Sequence, residues 1–392
     1  MLENRIAGLH TMRPPTEEGS LVDIIWNVTA ICPWNCAACC VSAVNVKGRD
    51  DQVLLSSPDL STEESLPRDP SRGTIFDQAL AHRQQAGLEL KLDDKMRVIS
   101  NLRDVPVRLD ISGGDALSAR ENYAVLEEAA SVLGPDSVTL TATAAGLAGY
   151  DVDSVAANIA ELNFTYDGPP PAEDALRPAT YAKGNLKRAM QFARKGVAVR
   201  AECPLTTQNI RPDVLRRIYT DLAEAGVGTI LLMRLFPVGR GLYHAESVPA
   251  LTEYRDAIRF LRDLEGRLGG PKVKLQCALR ALDGPSDSNP CDAIDSSFGL
   301  MWDGTLLGSP WAINAHGRPV DAAWVLGNLA QTSLAEILRG DQVSSLRART
   351  AENHSHCKIF SWLNGASSNS VDRMFEKMDP LFIEAADSED VA

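Results

Sequence analysis

The sequence predicts an α/β fold: a partial (β/α)6 TIM-like barrel followed by a small C-terminal α+β extension. Three observations predict it. Short apolar, β-branched runs alternate with helix-periodic stretches from Ile24 to Arg240, the order that builds a parallel sheet with right-handed crossovers. Glycine-containing turns such as Ser112-Gly113-Gly114 and Asp167-Gly168 follow the strand-like runs, where barrel strands end and chemistry is placed. Beyond Arg240 the alternation stops. A chain of 392 residues fits a barrel of about 200 to 250 residues plus an appendage, and 44% hydrophobic content supplies its core.

Each element follows from local pattern. Residues 1–20 contain Pro14 and Pro15 and few apolar anchors, so they read as a loose arm. A strand is expected over 24–29. Residues 46–75 are rich in charge, Ser, Pro67, Pro70 and Gly73 and read as a long loop or lid. Helices are expected over 74–85 and 93–102. The 73 residues between Cys39 and Gly113 exceed one strand, helix and strand, so this stretch is an insertion placed to cover a substrate. Strands follow over 105–111, 137–143, 161–166, 197–203 and 229–235, and helices over 121–133, 152–159, 181–194 and 212–225. The 161–166 strand runs into Asp167-Gly168-Pro169-Pro170-Pro171, a stiff loop. The barrel is expected over 21–245 and the extension over 246–392. In the extension, 252–268 reads as helix, 286–289 as loop, 298–306 as a hairpin turning at Asp303-Gly304, and 333–338 as a short helix.

Charge narrows the partners. A net charge of −13 opposes broad binding to nucleic-acid phosphates or anionic membranes. No run of about 18 apolar residues is present, and the first residues lack a signal-peptide core, so a cytoplasmic protein is expected, with neither nucleic acid nor membrane as partner. Eight cysteines, three of them tightly spaced, fit a reducing compartment and metal binding better than a disulfide framework.

The chemistry is concentrated in Cys32-Pro-Trp-Asn-Cys36-Ala-Ala-Cys39. Three thiolates on one short loop converge, and soft ligands of this kind select an iron–sulfur cluster or zinc. Buried cysteines packing as small apolar side chains are the bland alternative. Cys40 is a further candidate in place of Cys39. The next expected strand runs into Gly113-Gly114-Asp115. Two glycines allow close backbone approach, and the carboxylate can grip an ammonium group. An ordinary strand-end turn has the same composition.

The cysteine loop after the first strand and the Gly-Gly-Asp turn after the second together resemble the radical S-adenosylmethionine (SAM) superfamily, over residues 21–245. The resemblance implies a 4Fe-4S cluster on Cys32, Cys36 and Cys39, whose free iron chelates SAM and cleaves it reductively to a 5′-deoxyadenosyl radical. It implies contacts to the methionyl part of SAM from Gly113, Gly114 and Asp115, and to its ribose or adenosine from Thr141 and Thr143. Arg177, Arg200 and Glu202 stand where family members contact the SAM carboxylate or the substrate. For the threonines β-propensity, and for the charges solvation, is the competing explanation. Two positions depart from the family pattern: Ala38 replaces an aromatic residue, and Asp115 replaces the commoner Glu. Tyr166-Asp167-Gly168 and Leu235-Phe236-Pro237-Val238-Gly239-Arg240-Gly241 are similar to strand exits of SPASM-type members.

The extension resembles a degenerate SPASM or twitch domain. Cys291 stands before the hairpin, but Leu307-Gly308-Ser309-Pro310 lacks the second cysteine, and only Cys357, beside His354 and His356, follows. Cys277, Cys291 and Cys357 therefore remain candidates for a second cluster, for zinc, or for hydrogen donors to a substrate radical. With no complete auxiliary set, the resemblance implies a redox-neutral outcome, epimerisation or rearrangement, on a small polar metabolite of sugar, nucleoside or aminoglycoside type in natural-product biosynthesis. The cysteine loop begins about 30 residues from the first residue, leaving no room for a leader-binding domain, which favours a small molecule. A peptide maturase is the runner-up, and a non-catalytic zinc or electron-carrier protein the alternative from another class. A flavodoxin- or ferredoxin-type reductant is the expected protein partner.

Overall fold

The computed structural model describes residues 21–168, 176–280, 282–283, 291–350 and 357–365. The expected arm over 1–20, the prolines 169–171, the loop over 286–289 and the candidate ligands His354 and His356 lie outside the described residues. Fourteen strands are described: β1 (Val22–Asn27), β2 (Ile31–Cys32), β3 (Val44–Arg49), β4 (Gln52–Ser56), β5 (Glu63–Pro67), β6 (Val107–Ser112), β7 (Val138–Thr141), β8 (Glu161–Thr165), β9 (Ala198–Leu205), β10 (Thr229–Arg234), β11 (Lys272–Leu275), β12 (Ser297–Leu300), β13 (Thr305–Leu307) and β14 (Val325–Asn328). Ten of them form one sheet in the order β11-β10-β9-β8-β7-β6-β1-β12-β13-β14, with every pairing from β11 to β12 parallel. The α/β class and its mostly parallel sheet are as the alternating pattern predicts.

Period-2 alternation explains why the sheet has one apolar and one polar face. Val22, Ile24 and Trp26 of β1, Val107, Leu109 and Ile111 of β6, and Val199, Ala201 and Cys203 of β9 are buried. They pack with apolar residues of helices such as Glu121–Leu133 and Pro212–Glu224. Both helices carry an apolar stripe, and Pro at the first position of the second costs no hydrogen bond. The opposite face lines the cavity described below.

Two regions differ from expectation. Residues 46–75 hold most of a meander, β3 to β5, then a 3-10 turn and the start of helix Ile75–Gln85. The second sheet, β2-β3-β4-β5, is tied by β2 to the cysteine loop itself. Its apolar signal, the buried Val44 and Val46 of β3 and Val53 and Leu55 of β4, with Val46 opposite Leu55, is interrupted by the Asp50 turn, which takes φ of 51°. The polar residues beyond Ser56 obscure that pattern. None of residues 46–75 lines the cavity, and the β2–β3 pairing braces the cysteine loop. The sheet also continues past residue 245: β11 extends it beyond β10, and β12 pairs in parallel with β1 through Ile24↔Phe298 and Trp26↔Leu300. The hairpin of the extension is thus a continuation of the main sheet.

Candidate active site

The cysteine loop leaves β1 under tight backbone control. Val28 N donates to Ser112 O at 3.0 Å, Gly114 N to Thr29 O at 2.8 Å and Asp115 N to Ile31 O at 2.9 Å. Both glycines are needed for that zipper. A Cβ on Gly113, where φ is +144°, would lie 2.6 Å from Thr29 O, and one on Gly114 would lie 2.3 Å from Ile31 O. From the other side Glu89, buried and paired with Arg83 at 2.6 Å, accepts from Thr29 Oγ1 at 2.8 Å and Ala30 N at 3.1 Å. The expected close approach by Gly113 and Gly114 is therefore made to the start of the cysteine loop, and both also line the cavity.

Cys32, Cys36, Cys39 and Cys40 all face a cavity of about 1010 Å³ at the carboxyl ends of the strands, the face on which barrels carry their sites. Cys32 Sγ accepts from Trp34 N and Cys39 Sγ from Ala43 N, each at 3.4 Å. Burial and then the nearby Asp115 and Cys36 push the Cys32 thiol well up, and burial pushes up Cys36 against the pull of Arg177. A cationic centre among the thiols would relieve both penalties, so the donor set fits a thiolate-held cluster. Cys40 is raised to about 12 by burial and by Cys39.

Asp115 is engaged inside the protein. Its carboxylate is buried, accepts from Thr143 Oγ1 at 2.5 Å, Thr143 N at 3.0 Å and Gly146 N at 2.8 Å, and does not line the cavity. Burial raises it to about 6 in spite of those donors. Trp34 Nε1 donates to the same Thr143 hydroxyl at 2.9 Å, so Asp115 ties the β7 exit to the cysteine loop. Thr141 donates to Asp110 at 2.7 Å. Thr141 and Thr143 both line the cavity with their hydroxyls engaged inside the protein.

Arg177 sits against Cys36: it pairs with Asp167 at 2.5 Å, stacks over Tyr181 at 5.0 Å and bonds the Cys36 thiol. Arg200 pairs with Glu161 at 3.4 Å, and its Nε has no partner among the described residues. Glu202 lines the cavity in no ion pair among the described residues, and burial, Asp110 and Glu161 raise it to about 7. The sequence reading missed the rest of this polar layer, Asp23 paired with Arg108 at 2.7 Å, Asp110, and Lys274. A signal existed: Arg108-Leu-Asp110, Arg200-Ala-Glu202 and Lys272-Val-Lys274 place charges on alternate positions of apolar strands.

In the extension, Cys277, Cys291 and Cys357 come together. Cys277 and Cys357 both hydrogen-bond to Cys291, lowering its thiol well below the usual range. The three share a small pocket with Asp292, and Cys277 also lines the main cavity.

No family model and no curated protein matches this sequence. Solved structures do. SuiB of Streptococcus suis bound to the precursor peptide SuiA superposes with a TM-score of 0.61 at 12% identity, over 92% of this chain and 76% of that one. The same protein bound to S-adenosylmethionine superposes equally well, over 92% and 77%. The anSMEcpe structure with bound AdoMet gives a TM-score of 0.54 at 14% identity, over 95% of this chain and 94% of that one. The chain therefore shares the fold of SuiB and anSMEcpe, two proteins solved with S-adenosylmethionine bound.

Proposed function

We propose that this protein is a radical SAM enzyme acting on a small polar metabolite. One observation carries the reading: Cys32, Cys36, Cys39, Gly113 and Gly114 line the same cavity as an inward-facing layer of charged side chains. A 4Fe-4S cluster on the three cysteines, with SAM bound and a flavodoxin- or ferredoxin-type reductant, would supply a 5′-deoxyadenosyl radical for hydrogen abstraction. The chain's own residues do the rest. Gly113 and Gly114 keep the backbone low beside the thiols, and Arg177 holds Cys36 in place. Asp110, Arg200, Glu202 and Lys274 offer charges to a polar substrate in a space where such contacts are strong. Among the described residues no helix is long and apolar enough to cross a membrane.

The fate of the substrate radical turns on Cys277. Its thiol borders the cavity and bonds Cys291, which suits hydrogen donation and a redox-neutral outcome. The meeting of three thiols equally favours a second reading, in which Cys277, Cys291 and Cys357 hold an auxiliary cluster that accepts an electron. SuiB and anSMEcpe were solved with peptides, SuiA and Cp18Cys, and a peptide substrate belongs with that second reading.

Anaerobic reconstitution followed by electron paramagnetic resonance, with and without SAM, tests the proposal. The expected result is a cluster signal that shifts on SAM addition, with 5′-deoxyadenosine formed on reduction. An unchanged signal and no 5′-deoxyadenosine would leave a non-catalytic metal protein. Iron counting in a Cys32→Ala, Cys36→Ala, Cys39→Ala triple variant separates the two fates: no residual iron supports thiol donation, and residual iron supports the auxiliary cluster.

A further inference from the structure

Arg240 lies outside the cavity lining. It follows β10, in the 3-10 turn Gly239–Tyr243, and its side chain is 2% exposed. Its Nε donates to Cys36 O at 3.1 Å, and its Nη1 donates to Ala43 O at 2.7 Å and to Pro58 O at 2.6 Å. Its backbone N donates to Cys39 O at 2.9 Å. One residue thus holds the cysteine loop at Cys36, Cys39 and Ala43 and the far turn of the meander at Pro58. The approach is as close as the chain allows: Gly239 takes φ of +54°, and a Cβ there would lie 2.4 Å from Cys40 O.

Two features make this more than packing. No carboxylate pairs with Arg240 among the described residues, and Nη2 is buried without a partner. Burying an uncompensated cation is costly, yet its charge is held beside a loop whose three thiolates would be anionic. A planar fork is also needed to reach carbonyls on separate segments, which a lysine ammonium cannot reproduce.

We propose that Arg240 is a positioning residue for the cluster: it clamps the loop carrying Cys32, Cys36 and Cys39 onto the meander, and its charge favours the reduced, more negative state. The charge half rests on the radical SAM reading, whereas the clamp is a property of the chain alone. Arg240→Gln removes both clamp and charge, and Arg240→Lys keeps only charge.

The test starts on apo-protein, by maleimide labelling read by mass spectrometry and by hydrogen exchange. Loss of buried charge-assisted hydrogen bonds should speed labelling of Cys36 and Cys39 by about tenfold in Arg240→Gln, with exchange rising together over 33–43 and 53–60. The fully buried Cys203 should label as slowly as in the parent. In reconstituted protein the cluster's reduction potential should fall in Arg240→Gln and stay near the parent value in Arg240→Lys. Unchanged labelling and exchange would overturn the clamp, as would Cys203 becoming reactive in step with Cys36, since Arg240 would then be a staple for the whole fold. Equal potentials in the parent and both variants would overturn the charge role. If the parent takes up no iron, the enzyme reading fails while the apo-protein labelling still decides the clamp.

Discussion

Glu202 occupies the most exacting position among the individual residues. It points into the cavity between Thr165 of β8 and Leu231 of β10, in no ion pair among the described residues, and burial raises it from 4.5 to about 7. The folded chain therefore keeps this proton to higher pH than the unfolded chain. Its contribution to stability is full below about pH 4.5 and is lost as pH rises through about 7, a change of at most about 3 kcal/mol. Urea titrations of apo-protein from pH 5 to 8 should show that decline, and Glu202→Gln should make it shallower, leaving the share of Asp115 and Asp292, both raised to about 6; an unaltered slope in the variant would assign the whole decline elsewhere. Gly114 makes a sharper steric prediction. Gly114→Ala drives a Cβ into Ile31 O at 2.3 Å and should cost about 2 kcal/mol or more, lowering the urea midpoint and iron uptake together. The need for glycine here was legible in the sequence, but its target was not: Gly-Gly-Asp announces a close approach without saying to which backbone. Asp115 shows the same limit, since a carboxylate beside two glycines does not announce in sequence that Thr143 and Gly146, about thirty residues away, donate to it.

Elements were most legible where periodicity was long and uninterrupted. The helices Glu121–Leu133 and Tyr181–Arg194 have the bounds that their pattern predicts, because a stripe repeated over three turns and a following Gly134 leave little freedom. The meander was illegible for the opposite reason. Its strands have five or six residues, and β5 is exposed with two glutamates and Pro67, features that blunt a sheet edge and look like loop in sequence. Its role can be tested at this scale. Val53 is fully buried in β4 and pairs across to Gly48, so Val53→Asp places an unpaired charge in the meander's core, at about 3 kcal/mol or more. Because β3 pairs with β2 at Ile31 and Cys32, the variant should lose iron uptake while helix Glu121–Leu133 keeps its exchange protection. Full iron uptake would show that the loop does not depend on the meander.

For the molecule as a whole, the change of rhythm after Arg240 marks where helix–strand alternation ends, not where the sheet ends. β11 is four residues long and carries two lysines, too short and polar to signal a strand. The pairing of β12 with β1 joins residues more than 270 positions apart, beyond the reach of local pattern. A chain ending at residue 245 tests what that pairing contributes. It would expose Trp26 and Ile24, both nearly inaccessible beside Phe298 and Leu300, and remove the cavity wall made by Cys277, Asp292, Pro310 and Trp311. Stacking of Trp311 on Phe236 at 4.5 Å would go as well. Each large side chain returned to water costs about 1.5 to 3 kcal/mol, and several such losses match the roughly 5 to 15 kcal/mol by which a domain is stable. The truncated chain is therefore expected to unfold without a cooperative transition in urea and to bind a hydrophobic dye, as an open-edged sheet would. A cooperative transition with a midpoint close to that of the full chain would instead show that residues 21–245 form a barrel complete in itself, and that β12 only rests against it.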